Sequence, residues 1–167
     1  MTTGTAEDDR ETDDAEADVT LSTRIESAMR DAMRARAAQR TSTLRMAMAA
    51  VHNEKIARGR DLTDEEVVDV LTKQVKQRRE SIAMYRDAGR AERAAAEEAE
   101  AAILSEFLPE QLDGAEIEAL ARAAIAETGA TSPSDIGRVM GRLAPRTRGR
   151  ADGRAVSEVV RRLLTGG

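Results

Sequence analysis

The sequence predicts an all-α protein. Three observations predict it: every periodic stretch repeats at helical spacing, the apolar content is dominated by Ala, and helix start and stop signals bracket the stretches. There is one Phe, one Tyr, no Trp and no Cys, against seven Met. Such a core packs through small and flexible aliphatic side chains, which suit close helix–helix contact better than a sheet. The expected organisation is an acidic tail over 1–18, an N-terminal helical domain of about four helices over 19–108, and a small C-terminal three-helix domain over 113–167.

Taken in order, "MTTGTAEDDRETDDAEAD" holds eight acidic residues and one Arg, with no large apolar side chain after Met1. It cannot repay the entropy of ordering and reads as a disordered, solubilising extension. From Val19 the pattern turns helical, with Leu21, Ile25, Met29 and Met33 on one stripe. Leu44, Met48 and Val51 mark a second stripe, and Gly59 is placed as its C-terminal stop. Thr63 with Glu66 forms a capping box, stapled by Leu62 and Val67. Val67, Leu71, Val75 and Ile82 continue that third helix up to a break at Ala88-Gly89. "AERAAAEEAEAAILSEFL" is a fourth, which Pro109 is expected to end.

Beyond "LPEQLDG", Asp113 and Glu116 form a second capping box, and Gly129 closes the helix they open. Ser132 can cap the next, with Pro133 in its first turn. Ile136, Val139, Met140 and Leu143 line its apolar face, and Pro145 is expected to stop it. Asp152 is a cap for the last helix, whose inward stripe is Val156, Val159, Val160, Leu163 and Leu164.

Charge is unevenly distributed. The net charge is -5, of which residues 1–18 hold -7, leaving +2 for the rest. Gly137–Arg154 alone carries six Arg and one Asp, a local +5. Arg138 and Arg142 lie one helical turn apart beside Gly137 and Gly141. Arg146, Arg148 and Arg150 follow on a connection, and Arg154 opens the last helix. Two glycines inside a helix cost about 1 kcal/mol each against Ala, so a close approach by a helix or a sugar-phosphate strand would account for them. Arg forks bind phosphate in pairs of hydrogen bonds, and an Arg at a helix N-terminus is misplaced for the dipole unless an anion joins it. No aromatic residue follows Phe107, so base stacking is not expected; recognition would be of RNA backbone and shape. The arginines could equally pair with acidic helix faces or stand solvated.

Enzyme chemistry finds little support. One His, His52, and no Cys leave no multi-histidine or thiolate metal site and no thiol nucleophile. The glycines around Gly149 and Gly153 lack the lysine of a phosphate loop. The charged runs Lys73, Lys76, Arg78, Arg79 and Glu97, Glu98, Glu100 read as solvated faces. No cofactor is expected. The acidic start is no secretory signal, and no apolar run reaches the ~18 residues of a membrane span; the expected location is the cytoplasm.

Four stretches in order, "LRMAMAAVHNEKIARGRDLTDEEV", "VKQRRESIAMYRDAGR", "FLPEQL" and "DIGRVMGRLAPRTRGRADGRAVSEVV", resemble the stand-alone YqeY-like proteins of the GatB/YqeY family. The resemblance runs from about Leu21 to Leu164. Arg146 and Arg154 stand where the family usually has Lys, and the acidic extension lies outside the pattern. The resemblance implies an all-helical fold with a C-terminal domain similar to the tail of the B subunit of the glutamine-dependent aspartyl/glutamyl-tRNA amidotransferase. In that enzyme the tail contacts tRNA and a separate domain performs amide transfer. The family's usual activity description, carbon-nitrogen ligase with glutamine as amido-N-donor, belongs to a catalytic domain that this chain lacks. The leading expectation is an accessory protein that contacts tRNA or another structured RNA through Arg138, Arg142, Arg146, Arg148, Arg150, Arg154, Gly137 and Gly141. Its expected partners include a tRNA amidotransferase or translation factors. The alternative is a protein–protein adaptor in a translation-related complex.

Overall fold

The computed structural model describes residues 19–166, and the acidic extension lies outside them. Among the described residues there are seven α-helices, one 3₁₀ turn and no strand. The first four are α1 (Leu21–Arg34), α2 (Ala38–Arg58), α3 (Asp64–Asp87) and α4 (Ala91–Ser105). Then come α5 (Gly114–Thr128), the 3₁₀ turn Pro133–Asp135, α6 (Ile136–Thr147) and α7 (Gly153–Leu164).

The ends follow the sequence signals closely. Thr63 Oγ1 accepts the Glu66 N–H while the Glu66 carboxylate accepts the Thr63 N–H. Asp113 and Glu116 repeat this reciprocal pairing at α5. Gly59 and Gly129 stop α2 and α5 in the left-handed region, at φ 67° and 63°, where a Cβ would be strained. Thr20 caps α1 through its side chain, one residue beyond the expected start at Val19. The Leu21 N–H, otherwise an orphan of that helix end, donates to Asp64 of α3 at 2.9 Å.

Two hydrophobic clusters result. The first joins α1 to α4 around Ile25, Leu44, Val67, Leu71 and Leu104, all essentially without solvent contact. The second joins α5, α6 and α7 around Ala121, Ala124, Val139, Leu143, Val156 and Val160. Each buried Leu, Ile or Val contributes about 1.5–3 kcal/mol by leaving water. The alanines bring the helix axes close enough for those side chains to meet.

Four expectations are corrected. Met33 is exposed at 52%, and Ala32 takes the inward position at that end of α1; the 3.6-residue period has rotated the stripe by one residue. The helix α4 ends at Ser105, short of Pro109, because Phe107 and Leu108 turn back onto the first cluster. Arg78, expected on a solvated face, is buried at 6% and pairs with Glu100 of α4 at 3.0 Å. Pro145 does not stop α6, which continues to Thr147. The proline sits in the last turn, so the bond it lacks is the one to the Gly141 carbonyl, on a flank open to water. Arg148 N–H still reaches Ala144 O at 3.0 Å, and Thr147 Oγ1 donates to Leu143 O at 3.1 Å.

The three C-terminal helices dock on α3 through the connection between α6 and α7. Gly149 has φ 70°, and a Cβ there would overlap Val68 Cγ1 of α3. The Gln111 amide donates to Gly149 O at 2.7 Å, and the Leu112 N–H donates to Arg150 O at 2.8 Å.

Candidate nucleic-acid interface

Helix α6 turns Ile136, Val139, Met140, Leu143 and Thr147 toward the second cluster. At 100° per residue this leaves Arg138, Arg142 and Arg146 in one row on a solvent flank. Gly137 and Gly141 occupy the adjacent flank. Among the described residues nothing lies within 4 Å of where a Cβ on either glycine would sit. None of the described helices therefore uses the close approach that these glycines permit.

Each arginine of the row meets a carboxylate at its edge. Arg138 Nη2 donates to Asp135 Oδ1 at 2.8 Å. Asp135 is fixed in turn by the Thr131 and Ser132 N–H groups, at 3.0 and 3.2 Å on its other oxygen. Those backbone donors, with Arg138 nearby, hold its carboxyl below the ordinary range. Glu127, in the last turn of α5, receives both Arg142 at 2.7 Å and Arg146 at 3.0 Å. The two guanidinium groups hold its carboxyl below the ordinary range as well. The Arg138 and Arg142 side chains remain 57% and 58% exposed. In such surroundings water screens each pair, which therefore adds little to stability.

The other predicted arginines are placed differently. Arg148 reaches across to α3, donating to Asp69 and, at 3.0 Å, to Glu65. These carboxylates push its guanidinium pKa further above its already high value. Arg150 donates to the Glu110 carbonyl at 3.0 Å. Arg148 therefore holds the connection onto α3, and Arg150 ties it to the segment between α4 and α5. Arg154 is the most open, 83% exposed, with Glu158 at 3.5 Å. The structure brings Arg138, Arg142 and Arg146 together and separates Arg148 and Arg150 from them.

Of two further basic residues at this end of the molecule, Arg161 escaped the sequence reading and Lys76 was read only as part of a solvated face. Arg161 lies seven residues after Arg154, on the same face of α7, with no acidic partner among the described residues; that spacing was the available signal. Lys76 of α3 reaches Asp152 at 3.5 Å across the junction, a contact between residues too distant in sequence for any local pattern. Partial burial raises the Asp152 carboxyl pKa, but the Ala155 and Arg154 N–H groups together with Lys76 outweigh it and set the value below ordinary.

A cleft of about 790 Å³ opens on the far side of α6, lined by Asp64, Glu65 and Val68 of α3 and by Met140, Ala144 and Pro145. It holds no nucleophile–base pair. His52 is exposed on α2, and no group of three potential metal-ligating side chains occurs among the described residues. No described helix is long and apolar enough to cross a membrane.

A small all-helical protein is thus defined, in which α3 carries a three-helix part with an arginine row on its outer face. The chain belongs to the Yqey-like protein family, whose sequence model matches residues 22–164. A search of curated protein sequences finds no match.

Proposed function

We propose that the protein is an RNA-binding accessory factor that seats the backbone of tRNA, or of another structured RNA, against α6. The observation that carries this reading is the row Arg138, Arg142 and Arg146 beside the open flank of Gly137 and Gly141. An RNA backbone presents a line of phosphodiesters, each with one negative charge, whereas two isolated carboxylates now edge the row. It exchanges for Asp135 or Glu127 at small expense because those pairs are solvent-screened. The glycine flank lets a sugar-phosphate strand approach closely enough for the forks to bind in pairs. Arg154 adds a fourth contact at the N-terminus of α7. Arg148 supports the seat by fixing the connection to α3, and Arg150 by fixing it to the segment between α4 and α5. The family resemblance to the tail of the amidotransferase B subunit supports the same class of ligand. In this reading the protein adds RNA contact to a tRNA amidotransferase or a translation factor and performs no amide transfer itself.

The test is fluorescence anisotropy with labelled tRNA on three proteins. The Arg138→Gln/Arg142→Gln/Arg154→Gln variant should bind more weakly than wild type. Glu127→Gln releases two arginines and should bind more tightly, by up to about fivefold. Equal affinities in all three overturn the RNA seat and favour a protein–protein adaptor.

A further inference from the structure

The described chain begins at the cleft beside α6. Val19 and Thr20 are exposed, and the Leu21 N–H donates to Asp64 at 2.9 Å. Asp64 lines the cleft whose other wall holds Met140, Ala144 and Pro145 of α6. At 100° per residue, the surface of α6 runs from Met140 and Ala144 over Gly137 and Gly141 to Pro145, and then to Arg138, Arg142 and Arg146. The open glycine flank therefore lies between the cleft and the arginine row. Residues 7–18, "EDDRETDDAEAD", precede this point in the sequence and place eight carboxylates and one Arg in twelve positions.

We infer that residues 7–18 lie across the glycine flank with their carboxylates on the arginine row, so that the chain carries its own competitor for the RNA seat. The competition rests on the RNA reading of that row; the contact does not. Reach permits it. Twelve extended residues span up to about 40 Å, whereas α6 is about 10–12 Å wide and the row from Arg138 to Arg146 rises about 12 Å. Charge selects the place. Near the chain's exit Lys55, Arg58 and Arg60 are balanced by Asp61, Glu54 and Glu66, and Arg24 is a single charge. In the row three guanidinium groups share two carboxylates, Asp135 and Glu127. The acidic side chains on the cleft wall are already engaged, Asp64 by the Leu21 N–H and Glu65 by Arg148. Gly137 and Gly141, with open space at their Cβ positions, admit a crossing backbone. A tethered segment meets the row at an effective concentration on the order of millimolar, so a weak contact is enough to occupy it.

Because the chain has no cysteine, Thr12→Cys supplies one site for a nitroxide spin label in the full-length protein. At low salt the label should broaden the amide signals of Gly137, Gly141 and Arg142. It should leave Gly89 sharp, because α3 has 24 residues and sets Gly89 roughly 36 Å from Asp64. Adding Arg138→Gln/Arg142→Gln/Arg146→Gln should remove the broadening, and so should about 0.5 M salt. Changing the eight acidic residues of 7–18 to Asn and Gln should tighten tRNA binding about three- to tenfold in anisotropy titrations. Broadening at α6 that is absent, or that is equal with the row intact and with the row changed to Gln, overturns the inference. Unchanged tRNA affinity in the neutralised protein overturns the competition. If neither protein binds tRNA, the RNA seat fails, while the broadening still decides the contact.

Discussion

Replacing Glu100 by Gln tests how the N-terminal helices are held together. The Arg78 side chain is 7% exposed, and its charge is met by the Glu100 carboxylate at 3.0 Å and by Gln74 Oε1 at 3.2 Å. The substitution keeps the size of the partner and removes its charge, so the guanidinium stays buried with neutral acceptors only. Breaking a buried pair costs about 3–5 kcal/mol. Glu100 is 26% exposed, so water reaches the site and the expected loss is lower, about 2–3 kcal/mol. For a chain of this size about 2–4 °C accompanies each kcal/mol, so Tm should fall by roughly 5–10 °C. Circular dichroism melts and urea titrations measure both quantities. The double variant Arg78→Met/Glu100→Leu should recover most of the loss, because apolar replacements remove the burial penalty of both charges. A Glu100→Gln protein within about 0.5 kcal/mol of wild type would show that the pair does not hold α3 to α4.

Gly137→Ala/Gly141→Ala should raise stability by up to about 1 kcal/mol per site, since both are helical with open space for a Cβ. The same variant should weaken tRNA binding in anisotropy titrations; unchanged affinity would remove the close approach from the account. Gly149→Ala should destabilise by about 1–3 kcal/mol in urea titration, because φ 70° and Val68 both oppose a Cβ; a neutral result would mean the connection is not pressed on α3. Arg60, the Thr63 N–H and Arg58 together lower the Glu66 carboxyl from 4.5 to about 2. Its stabilising contribution is complete above pH 4.5 and is lost as pH falls from there through about 2. The Tm gap between wild type and Glu66→Gln should therefore close across that window, and a gap independent of pH would contradict the assignment.

Local chemistry was readable in the sequence where it acts within a few residues. Thr63 with Glu66, Asp113 with Glu116, and Gly59 and Gly129 each specify a helix end through a contact confined to one turn. The apolar stripes of α3, α6 and α7 were readable for the same reason, since period alone sets their direction. Arg78 was not. Its position lies on the inward face between Val75 and Ile82, but an arginine there reads as solvated until Glu100 is known to arrive from α4. Pro145 was misread because the rule that proline ends a helix applies to the interior, and only the structure shows α6 closing two residues later. The local excess of arginine is visible in the sequence, yet its division depends on Asp69 and Glu65 of a distant helix taking Arg148. No local pattern carries that information.

The most direct test of the RNA seat is the salt dependence of tRNA binding. Each phosphate neutralised contributes about 0.7–0.9 to the slope of log K against log salt. Four contacts, by Arg138, Arg142, Arg146 and Arg154, predict a wild-type slope of roughly -2.8 to -3.6. Changing all four to Gln should bring the slope close to zero while the melting temperature stays nearly constant. A slope that is the same in both proteins, or no binding by the wild type at low salt, would contradict the account.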